Sequence, residues 1–461
     1  MKRFLLCTLV LLFSLCASAQ VTIDPGKVIG PVKPMNAVNN GPVVASSKEQ
    51  TRGNFTEYKA LHIPFARTHD SADFDGYGGP HSVDISQLFP DFNADVDDPA
   101  SYDFTNTDVY LKSIVDAGTQ VFFRMGETIE HTARQYHVFP PADFLKWAKI
   151  CEHVILHYNE GWANGLHLGI RYWEIWNEPD LDMYQWETKP RTWAGTPETF
   201  FRFYETVANY LNARFPNLMI GGPALCGREE WAEMFLPYMR DHKVELDFFS
   251  WHTYTTSVEE LVAKAVRIRA MLDKYGFAGV PSILNEWNYI KGWTTEYIYS
   301  LEEINSLKGA TFTAAMMSAC QDGPVDILMY YDFRLPSAFD GAFDQLTYRP
   351  TKGYYPFYAW NKLVELGTQV AAQSDDDQLY VAAAKDASGH VRALVVRFNR
   401  DNNVTDIKPY RIKLLGGGTG TVFAHVTDGV RTYTEIPLEM KDGEVELALD
   451  PNSFTLIDFS L

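Results

Sequence analysis

The sequence predicts an α/β fold in which a (β/α)₈ TIM barrel is followed by a small antiparallel β-sandwich. Eight short apolar runs alternate with helix-like segments between about residue 28 and residue 361. These runs are continuously apolar, as expected for parallel strands that are buried on both faces. Beyond Gly367 the helical periodicity stops, and short strands separated by turn residues follow. The chain length is consistent with a barrel plus one smaller domain.

The predicted barrel strands follow one another with helices between them. In chain order they are residues 34–38, 63–69, 120–125, 172–176, 219–222, 247–252, 282–286 and 326–331. Ser257 and Glu260 form a capping box ahead of one helix, and Thr196-Pro197 begins another. Phe144 lies near the start of a third. A doubly wound open sheet is the alternative, but no glycine-rich phosphate-binding loop follows the first strand.

The predicted domains are a signal peptide (1–19), the barrel (20–366) and the sandwich (367–461). The sandwich strands are predicted at residues 379–384, 391–398, 410–415, 421–426, 433–438, 445–449 and 454–459. Residues 21–23 could add one more strand to them. No proline-rich or serine-rich linker separates the two folded domains, so we expect them to pack together.

The first residues have the pattern of a cleavable secretory signal. Lys2 and Arg3 precede a short apolar run, and Ala17-Ser18-Ala19 offers the small residues of a cleavage site. The run is too short to span a membrane, and no later stretch reaches about 18 apolar residues. We therefore expect a secreted or periplasmic protein without a membrane span. Cys16 would permit a lipoprotein anchor, but the bulky Leu15 before it disfavours one.

Composition narrows the expected partners. The formal net charge of −19 disfavours nucleic acids and anionic membranes, because binding phosphates requires surfaces rich in lysine and arginine. Cys151, Cys226 and Cys320 remain after the signal and lie in apolar sequence, which favours buried free thiols over a disulfide. Their spacing matches no metal motif, and we predict no cofactor or metal.

Two glutamates close strands of the predicted barrel. Glu178 follows the fourth strand in the sequence Trp-Asn-Glu-Pro, and Glu286 closes the seventh in Asn-Glu-Trp. Reactive groups of such barrels lie at the carboxyl ends of the strands, so these side chains should face each other at the barrel mouth. Two carboxyl groups that flank one bond, one protonated and one ionised, are the minimum required for glycoside hydrolysis.

These motifs resemble those of the clan A retaining glycoside hydrolases, and in particular glycoside hydrolase family 39, which contains β-xylosidases and α-L-iduronidases. The resemblance covers most of the barrel and the sandwich. It implies that Glu178 is the acid/base, that Glu286 is the nucleophile and that Asn177 binds the sugar 2-hydroxyl.

Two further motifs favour family 39 over its clan relatives. Arg67-Thr68-His69 resembles the family's Arg-x-His at the second strand, which implies that His69 binds hydroxyls of the sugar ring. His252-Thr253-Tyr254 resembles the His-x-Tyr of the sixth strand. By this resemblance, His252 contacts the sugar and Tyr254 holds the nucleophile. Two aromatic residues at the strand ends complete the predicted substrate contacts: Trp287 and Tyr331.

The eighth strand departs from the family pattern. The family usually has Tyr-Trp there, followed by an acidic pair that contacts the far hydroxyl of the sugar. This chain has Tyr330-Tyr331-Asp332, and its nearest acid further along is Asp340. The departure leaves a preference for xylose open. Arg334 could meet a uronate carboxylate, but a salt bridge at the surface or in a loop is the favoured interpretation.

A long acidic loop spans residues 70–103. Four of its residues have alternate spacing suggestive of calcium: Asp91, Asn93, Asp95 and Asp97. Position six is Val96 and position twelve is Tyr102, so the loop is not an EF-hand, and a solvated loop that shapes the barrel mouth is favoured. Glu127 and Glu130 are weaker candidates for the pocket rim.

The sequence thus predicts a secreted retaining glycoside hydrolase, β-xylosidase-like, that cleaves terminal bonds of an oligosaccharide or polysaccharide. An arabinofuranosidase or uronidase on the same scaffold, or a carbohydrate-binding barrel without turnover, are the alternatives. A metal hydrolase is a more distant fourth alternative. The sugar, its anomeric configuration, exo or endo action and the oligomeric state stay open.

Overall fold

The structure is a computed structural model that describes residues 20–45, 51–71 and 81–460. Eight parallel strands form a closed barrel, and a nine-stranded sheet accompanies it, which confirms the predicted fold class. The predicted signal peptide lies outside the described residues, as does part of the acidic loop, residues 72–80. Within the described ranges, no helix has the length and apolar character that crossing a membrane requires.

The secondary structure alternates through the barrel and is then entirely β. The strands are β1 (Gln20–Pro31), β2 (Ala37–Asn39), β3 (Phe65–Arg67), β4 (Gln120–Met125), β5 (Tyr172–Ile175), β6 (Met219–Leu225), β7 (Phe249–Thr255), β8 (Ser282–Tyr289), β9 (Ile327–Tyr330), β10 (Thr368–Ser374), β11 (Leu379–Lys385), β12 (Val391–Arg397), β13 (Lys408–Leu414), β14 (Gly420–Thr427), β15 (Thr434–Met440), β16 (Glu444–Leu449) and β17 (Ser453–Asp458). The helices are α1 (Phe55–Ala60), α2 (Ile85–Leu88), α3 (Thr105–Asp116), α4 (Phe144–Glu160), α5 (Pro197–Arg214), α6 (Glu229–Asp241), α7 (Val258–Lys274), α8 (Tyr297–Ile304), α9 (Leu307–Asp322) and α10 (Tyr355–Val364).

The barrel consists of β2 to β9 in chain order, and β2 closes it by pairing with β9. Each of these strands overlaps one of the predicted apolar runs. β7 and β8 continue past their predicted ends because they stay paired as far as Thr255 and Tyr289. A bulge after Trp251 sets their register so that His252 lies beside Glu286. This pairing brings two predicted site residues together at the barrel mouth.

The predicted helix signals have structural counterparts. The Ser257 hydroxyl accepts a hydrogen bond from the Glu260 backbone at 3.2 Å and caps α7. Thr196 caps α5, and Pro197 occupies its first turn, where no backbone donor is needed. These helices bury their apolar faces around the barrel, and the strand ends are thereby held in place.

The remaining strands form one sheet in the order β15-β14-β17-β12-β11-β10-β1-β13-β16. All of its pairs are antiparallel except β1 with β13. Val422 in β14 and Val445 in β16 share one apolar core although their strands lie near opposite ends of this order. The sheet therefore folds over on itself in the manner of a sandwich. Residues 21–23 lie within β1, and β10 is a strand that the sequence did not predict.

The sheet packs against the barrel through α9. Phe312 of α9 contacts Phe398, with ring centroids 5.3 Å apart. Lys308, only 5% exposed, donates to the Arg400 carbonyl oxygen at 3.0 Å. The two domains therefore pack together, as expected for a chain without a flexible linker. The three predicted thiols are all free: Cys151, Cys226 and Cys320.

Candidate active site

The two strand-end glutamates meet inside the barrel mouth. One side-chain oxygen of Glu178 and one of Glu286 lie within 4.8 Å of each other. Both residues are buried, with 8% and 4% of their surface exposed. Glu178 has a left-handed backbone, with φ of 48°, and its amide donates to the Ala224 carbonyl at 2.9 Å. This strained turn after β5 directs the carboxyl group toward β8.

Glu286 is surrounded by donors. Its Oε1 accepts from Arg67 Nη1 at 2.8 Å and lies 2.7 Å from His69 Nε2. Its Oε2 accepts from the Tyr254 hydroxyl at 2.9 Å. Burial alone would raise the pKa of Glu286, but His252, His69 and Arg67 outweigh it and hold the pKa well below its usual range. Glu286 is therefore ionised at neutral pH.

Glu178 has the opposite electrostatic environment. Burial raises its pKa, and the negative charges of Glu286 and Asp180 raise it further, well above the usual range. Its one close side-chain partner among the described contacts is His252, whose Nδ1 lies 2.8 Å from Oε1. The pair therefore holds one protonated and one ionised carboxyl group at the same pH, which is the combination that acid catalysis beside a nucleophile needs.

His252 connects the two carboxyl groups. Its Nδ1 lies 2.8 Å from Glu178 and 3.4 Å from Oε2 of Glu286. Burial lowers the pKa of His252 to about 4, so the ring is neutral near pH 7. The residue has no exposed surface. Nδ1 of His252 serves the carboxyl pair, whereas Nε2 has no hydrogen-bond partner among the described residues, so the contact of His252 with the sugar stays a prediction.

Arg67 organises the floor of the site. Its Nε donates to Glu174 Oε2 at 2.6 Å, and its Nη2 donates to Asn177 Oδ1 at 2.8 Å. Nη1 also donates to Asn39 at 3.0 Å. Sequence reasoning missed Glu174 and Asn39 as partners. A glutamate within a continuously apolar strand was the available signal, since a charge buried there requires a partner.

Replacing Arg67 by methionine is expected to lower the free energy of unfolding by about 3–5 kcal/mol, because two buried carboxylates lose their cation. The matched control is Arg267→Met, which removes an exposed pair with Glu229 and should cost only about 0–1 kcal/mol. Denaturant unfolding of both variants, followed by circular dichroism, measures the difference. Similar losses in the two variants would contradict this role for Arg67.

His69 is held from its other side by an acidic partner. Its Nδ1 lies 2.7 Å from Asp70 Oδ1, and Asp70 Oδ2 accepts from Arg334 Nη1 at 2.6 Å and from the Tyr331 hydroxyl. Burial would raise the pKa of Asp70, but His69 and Arg334 hold it well below the usual range. Arg334, in the loop after β9, therefore forms a salt bridge, as expected, and both partners are buried. Tyr331 also packs edge-on against His69, with ring centroids 5.3 Å apart.

Trp287 lies elsewhere. Its side chain is fully buried and packs against Phe312 and Tyr330, with ring centroids 6.0 Å and 5.4 Å away. This corrects the expectation that Trp287 contacts substrate. Asp340 is also buried, and its Oδ1 accepts from the backbone amides of Ala342 and Phe343, so it shapes a loop.

The acidic loop and the rim candidates use their oxygens locally. Asp91 and Asp95 each accept from the backbone amide two residues further along. Glu127 bonds to Ser86, and Glu130 accepts from the amides of residues 136 and 137. None of these contacts reaches the carboxyl pair.

One group in the described part of the chain has metal-donor atoms close together, namely Glu178, His252 and Glu286. These side chains already bond to one another: His252 Nδ1 lies 2.8 Å from Glu178. In these surroundings Glu178 is protonated and can act as an acid, and Glu286 is ionised and can act as a nucleophile. We therefore interpret it as a carboxyl pair rather than as a metal centre.

An aromatic residue that sequence reasoning missed lies beside this site. Trp293, in the loop between β8 and α8, is 57% exposed, and its ring centroid is 5.0 Å from that of Tyr254. The available signal was a tryptophan directly after Gly292, in a loop at the carboxyl end of a barrel strand.

The sequence and the fold were compared with known proteins. The sequence model of "Glycosyl hydrolases family 39" matches residues 80–335. A β-xylosidase of Geobacillus stearothermophilus is 25% identical over 328 residues, which cover 62% of this chain and 60% of that protein, less than two thirds of its length. A glucosidase structure from Croceicoccus marinus has a TM-score of 0.75 at 21% identity, covering 96% of this chain and 98% of that chain. An α-L-arabinofuranosidase structure from Thermotoga maritima has a TM-score of 0.69 at 15% identity, covering 96% and 100%. At these identities, the two structures show that the chain shares their fold.

Proposed function

The chain belongs to the glycosyl hydrolases of family 39, and we propose that it is a retaining glycoside hydrolase that removes terminal xylose-like sugars from a β-linked glycan. The observation that carries this proposal is the buried carboxyl pair, in which one oxygen of Glu178 lies within 4.8 Å of one oxygen of Glu286. Retaining enzymes hold their carboxyl groups about 5–5.5 Å apart, whereas inverting enzymes need about 6.5–9.5 Å to admit a water molecule. The short separation favours retention. The β-xylosidase relative supports the choice of sugar.

In the first step, an oxygen of Glu286 attacks the anomeric carbon while the bond to the leaving oxygen breaks. Glu178 transfers its proton to that leaving oxygen. In the second step, the Glu178 carboxylate takes a proton from water, and the water oxygen attacks the anomeric carbon and releases Glu286. His69, Arg67 and Tyr254 keep the nucleophile ionised and fix its orientation before the sugar arrives.

Asn177 has a geometric reason to bind the 2-hydroxyl. Arg67 donates to its Oδ1, which leaves the amide nitrogen as the group that can face a ligand. An Nδ2 donor beside the anomeric centre can strengthen its hydrogen bond as charge develops on the sugar. Arg67 thus ties the nucleophile and the sugar-binding amide to one rigid guanidinium group.

A 2-fluoro-glycoside that inactivates the enzyme provides the direct test. Mass spectrometry of the digested protein should find the trapped sugar on Glu286. A label on another residue would overturn the nucleophile assignment, and binding without any turnover across a glycoside panel would favour a carbohydrate-binding barrel instead.

The pH dependence of kcat/KM should be bell-shaped. Glu178 acts protonated, and because its pKa is raised, activity should fall only as the pH rises through that elevated value. Glu286 acts ionised, and because its pKa is lowered, the acid limb should lie below the ordinary glutamate pKa of about 4.3. Rates measured across pH with a disaccharide, whose leaving oxygen needs the proton of Glu178, test this. In Glu178→Gln the alkaline limb should disappear, and its persistence would contradict the assignment.

An arabinofuranoside is the second candidate substrate. The first acid after the eighth barrel strand is Asp332, which is buried, and the next is Asp340, whose Oδ1 accepts from two backbone amides. The Tyr-Trp usual in the family is Tyr330-Tyr331 in this chain, and this departure is the reason to test pentosides other than xylosides. A uronide is disfavoured because Asp70 already pairs with Arg334, the cation that would meet its carboxylate. A panel of aryl xylosides, arabinofuranosides and uronides distinguishes the three.

We also propose that the protein is exported after cleavage behind Ala19. The first described strand begins at Gln20, which pairs with Arg411 of β13, so every described residue of the sheet lies after the proposed cleavage site. Amino-terminal sequencing of the protein recovered outside the cytoplasm should find Gln20 first. Recovery with residues 1–19 intact would overturn this proposal.

A further inference from the structure

A continuous set of side chains encloses one side of the candidate nucleophile. The Tyr254 ring contacts Trp293, and the Trp293 ring lies 6.3 Å from Phe339. Phe339 packs edge-on against Tyr331 at 5.4 Å. Tyr331 in turn contacts His69, which returns to Glu286. The contacts form a closed circuit with the nucleophile at one end and Trp293 at the other.

The side chains from Tyr254 through Trp293, Phe339 and Tyr331 to His69 form one wall of the site. Their exposed fraction changes abruptly along this wall. Tyr331 and Phe339 are each only 5% exposed, whereas Trp293 is 57% exposed. Trp293 is nevertheless held by its neighbours: Tyr297 stacks near it with centroids 6.0 Å apart and an interplanar angle of 26°. A positioned indole face therefore meets solvent where the wall of the site ends.

The same difference in side-chain exposure indicates how the substrate is oriented in the site. Asn177, His69 and the two glutamates, which would surround the sugar being cleaved, are all buried. That sugar therefore occupies the enclosed end, and the group on the other side of the scissile bond must extend toward solvent. The exposed indole of Trp293 is the member of this aromatic set that such a group could meet at the mouth.

We propose that Trp293 is the platform of a leaving-group subsite that binds a second pyranose ring by stacking against its C–H face. This inference rests on the proposed glycosidase function and specifies its substrate as an oligosaccharide rather than a small glycoside. An exposed tryptophan offers a large flat apolar surface with little conformational freedom to lose, which suits one face of a sugar ring. The polar hydroxyls at the rim of the ring remain in water.

The test compares two substrates of the same sugar, xylobiose and β-xylosyl fluoride. The fluoride has no second ring, so it reports on the chemistry without the proposed subsite. Trp293→Ala should lower the ratio of kcat/KM for xylobiose to that for the fluoride by about tenfold. Trp293→Phe should restore most of the ratio, since it replaces the aromatic face. If the glycoside panel selects another sugar, its disaccharide and fluoride replace this pair.

Phe423→Ala is the matched control, because Phe423 is an exposed aromatic residue of β14 in the sheet domain. It should leave the ratio unchanged. A Trp293→Ala enzyme with the wild-type ratio would overturn the subsite while leaving the proposed function intact. A wild-type enzyme that hydrolyses neither substrate of any sugar would overturn both. Equal losses on both substrates would also overturn the subsite, because they would indicate damage to the carboxyl pair.

Discussion

Replacing Glu286 by glutamine is expected to reduce kcat at least about a thousandfold on every glycoside, which corresponds to about 4 kcal/mol of lost transition-state stabilisation. A neutral amide cannot form the covalent bond to the anomeric carbon, however good the leaving group is. The oxygen of glutamine can accept from Arg67 in the place of Oε1, and its amide nitrogen can donate to the Tyr254 hydroxyl in the place of Oε2, so the fold should survive. Steady-state rates, together with a circular dichroism spectrum like that of the wild type, measure the effect.

Glu130→Gln is the control for removing a buried carboxylate near the barrel mouth. Glu130 accepts from two backbone amides and makes no contact with the pair. Its replacement should change kcat by only a few fold. A Glu286→Gln enzyme that retained wild-type turnover, or a Glu130→Gln enzyme that lost as much, would contradict the assignment of the nucleophile.

The strand pattern predicted the barrel well because its strands are buried on both faces and therefore continuously apolar. β4 coincides with its prediction at both ends. β10 escaped prediction because its sequence is polar and its strand character comes from pairing with β1 and β11. Its partner β1 is far away along the chain, so no local sequence pattern could indicate that β10 pairs with it.

Trp287 could have been excluded from the sequence alone. Successive side chains of a strand point to opposite faces, so a Glu286 that faces the barrel interior places Trp287 toward the surrounding helices. The same alternation puts His252 and Tyr254 on one face of β7, where both meet Glu286. The contact between Arg67 and Glu174 could not be predicted in this way, because it joins side chains of non-adjacent strands across the barrel interior.

Replacing Glu178 by glutamine should lower activity by an amount that depends on the leaving group of the substrate. Glycosides whose leaving group would depart as an alkoxide need the proton of Glu178, and their kcat/KM should fall by about 10²–10⁴-fold. In glycosyl fluorides and dinitrophenyl glycosides the leaving group departs without protonation, so the first step should be nearly unaffected. Steady-state kinetics on both kinds of substrate measure the contrast, and a uniform loss across leaving groups would contradict an acid role.

The second step provides an independent measurement of the same residue. Without the Glu178 carboxylate, water is not activated, so the glycosyl-enzyme should accumulate and produce a burst of released leaving group. Glu178→Ala leaves space for azide, an anionic nucleophile that needs no base, and azide should therefore restore turnover. The glycosyl azide formed should keep the anomeric configuration of the substrate, because each of the two displacements inverts it. An inverted product would exclude a covalent Glu286 intermediate even if azide accelerated the reaction.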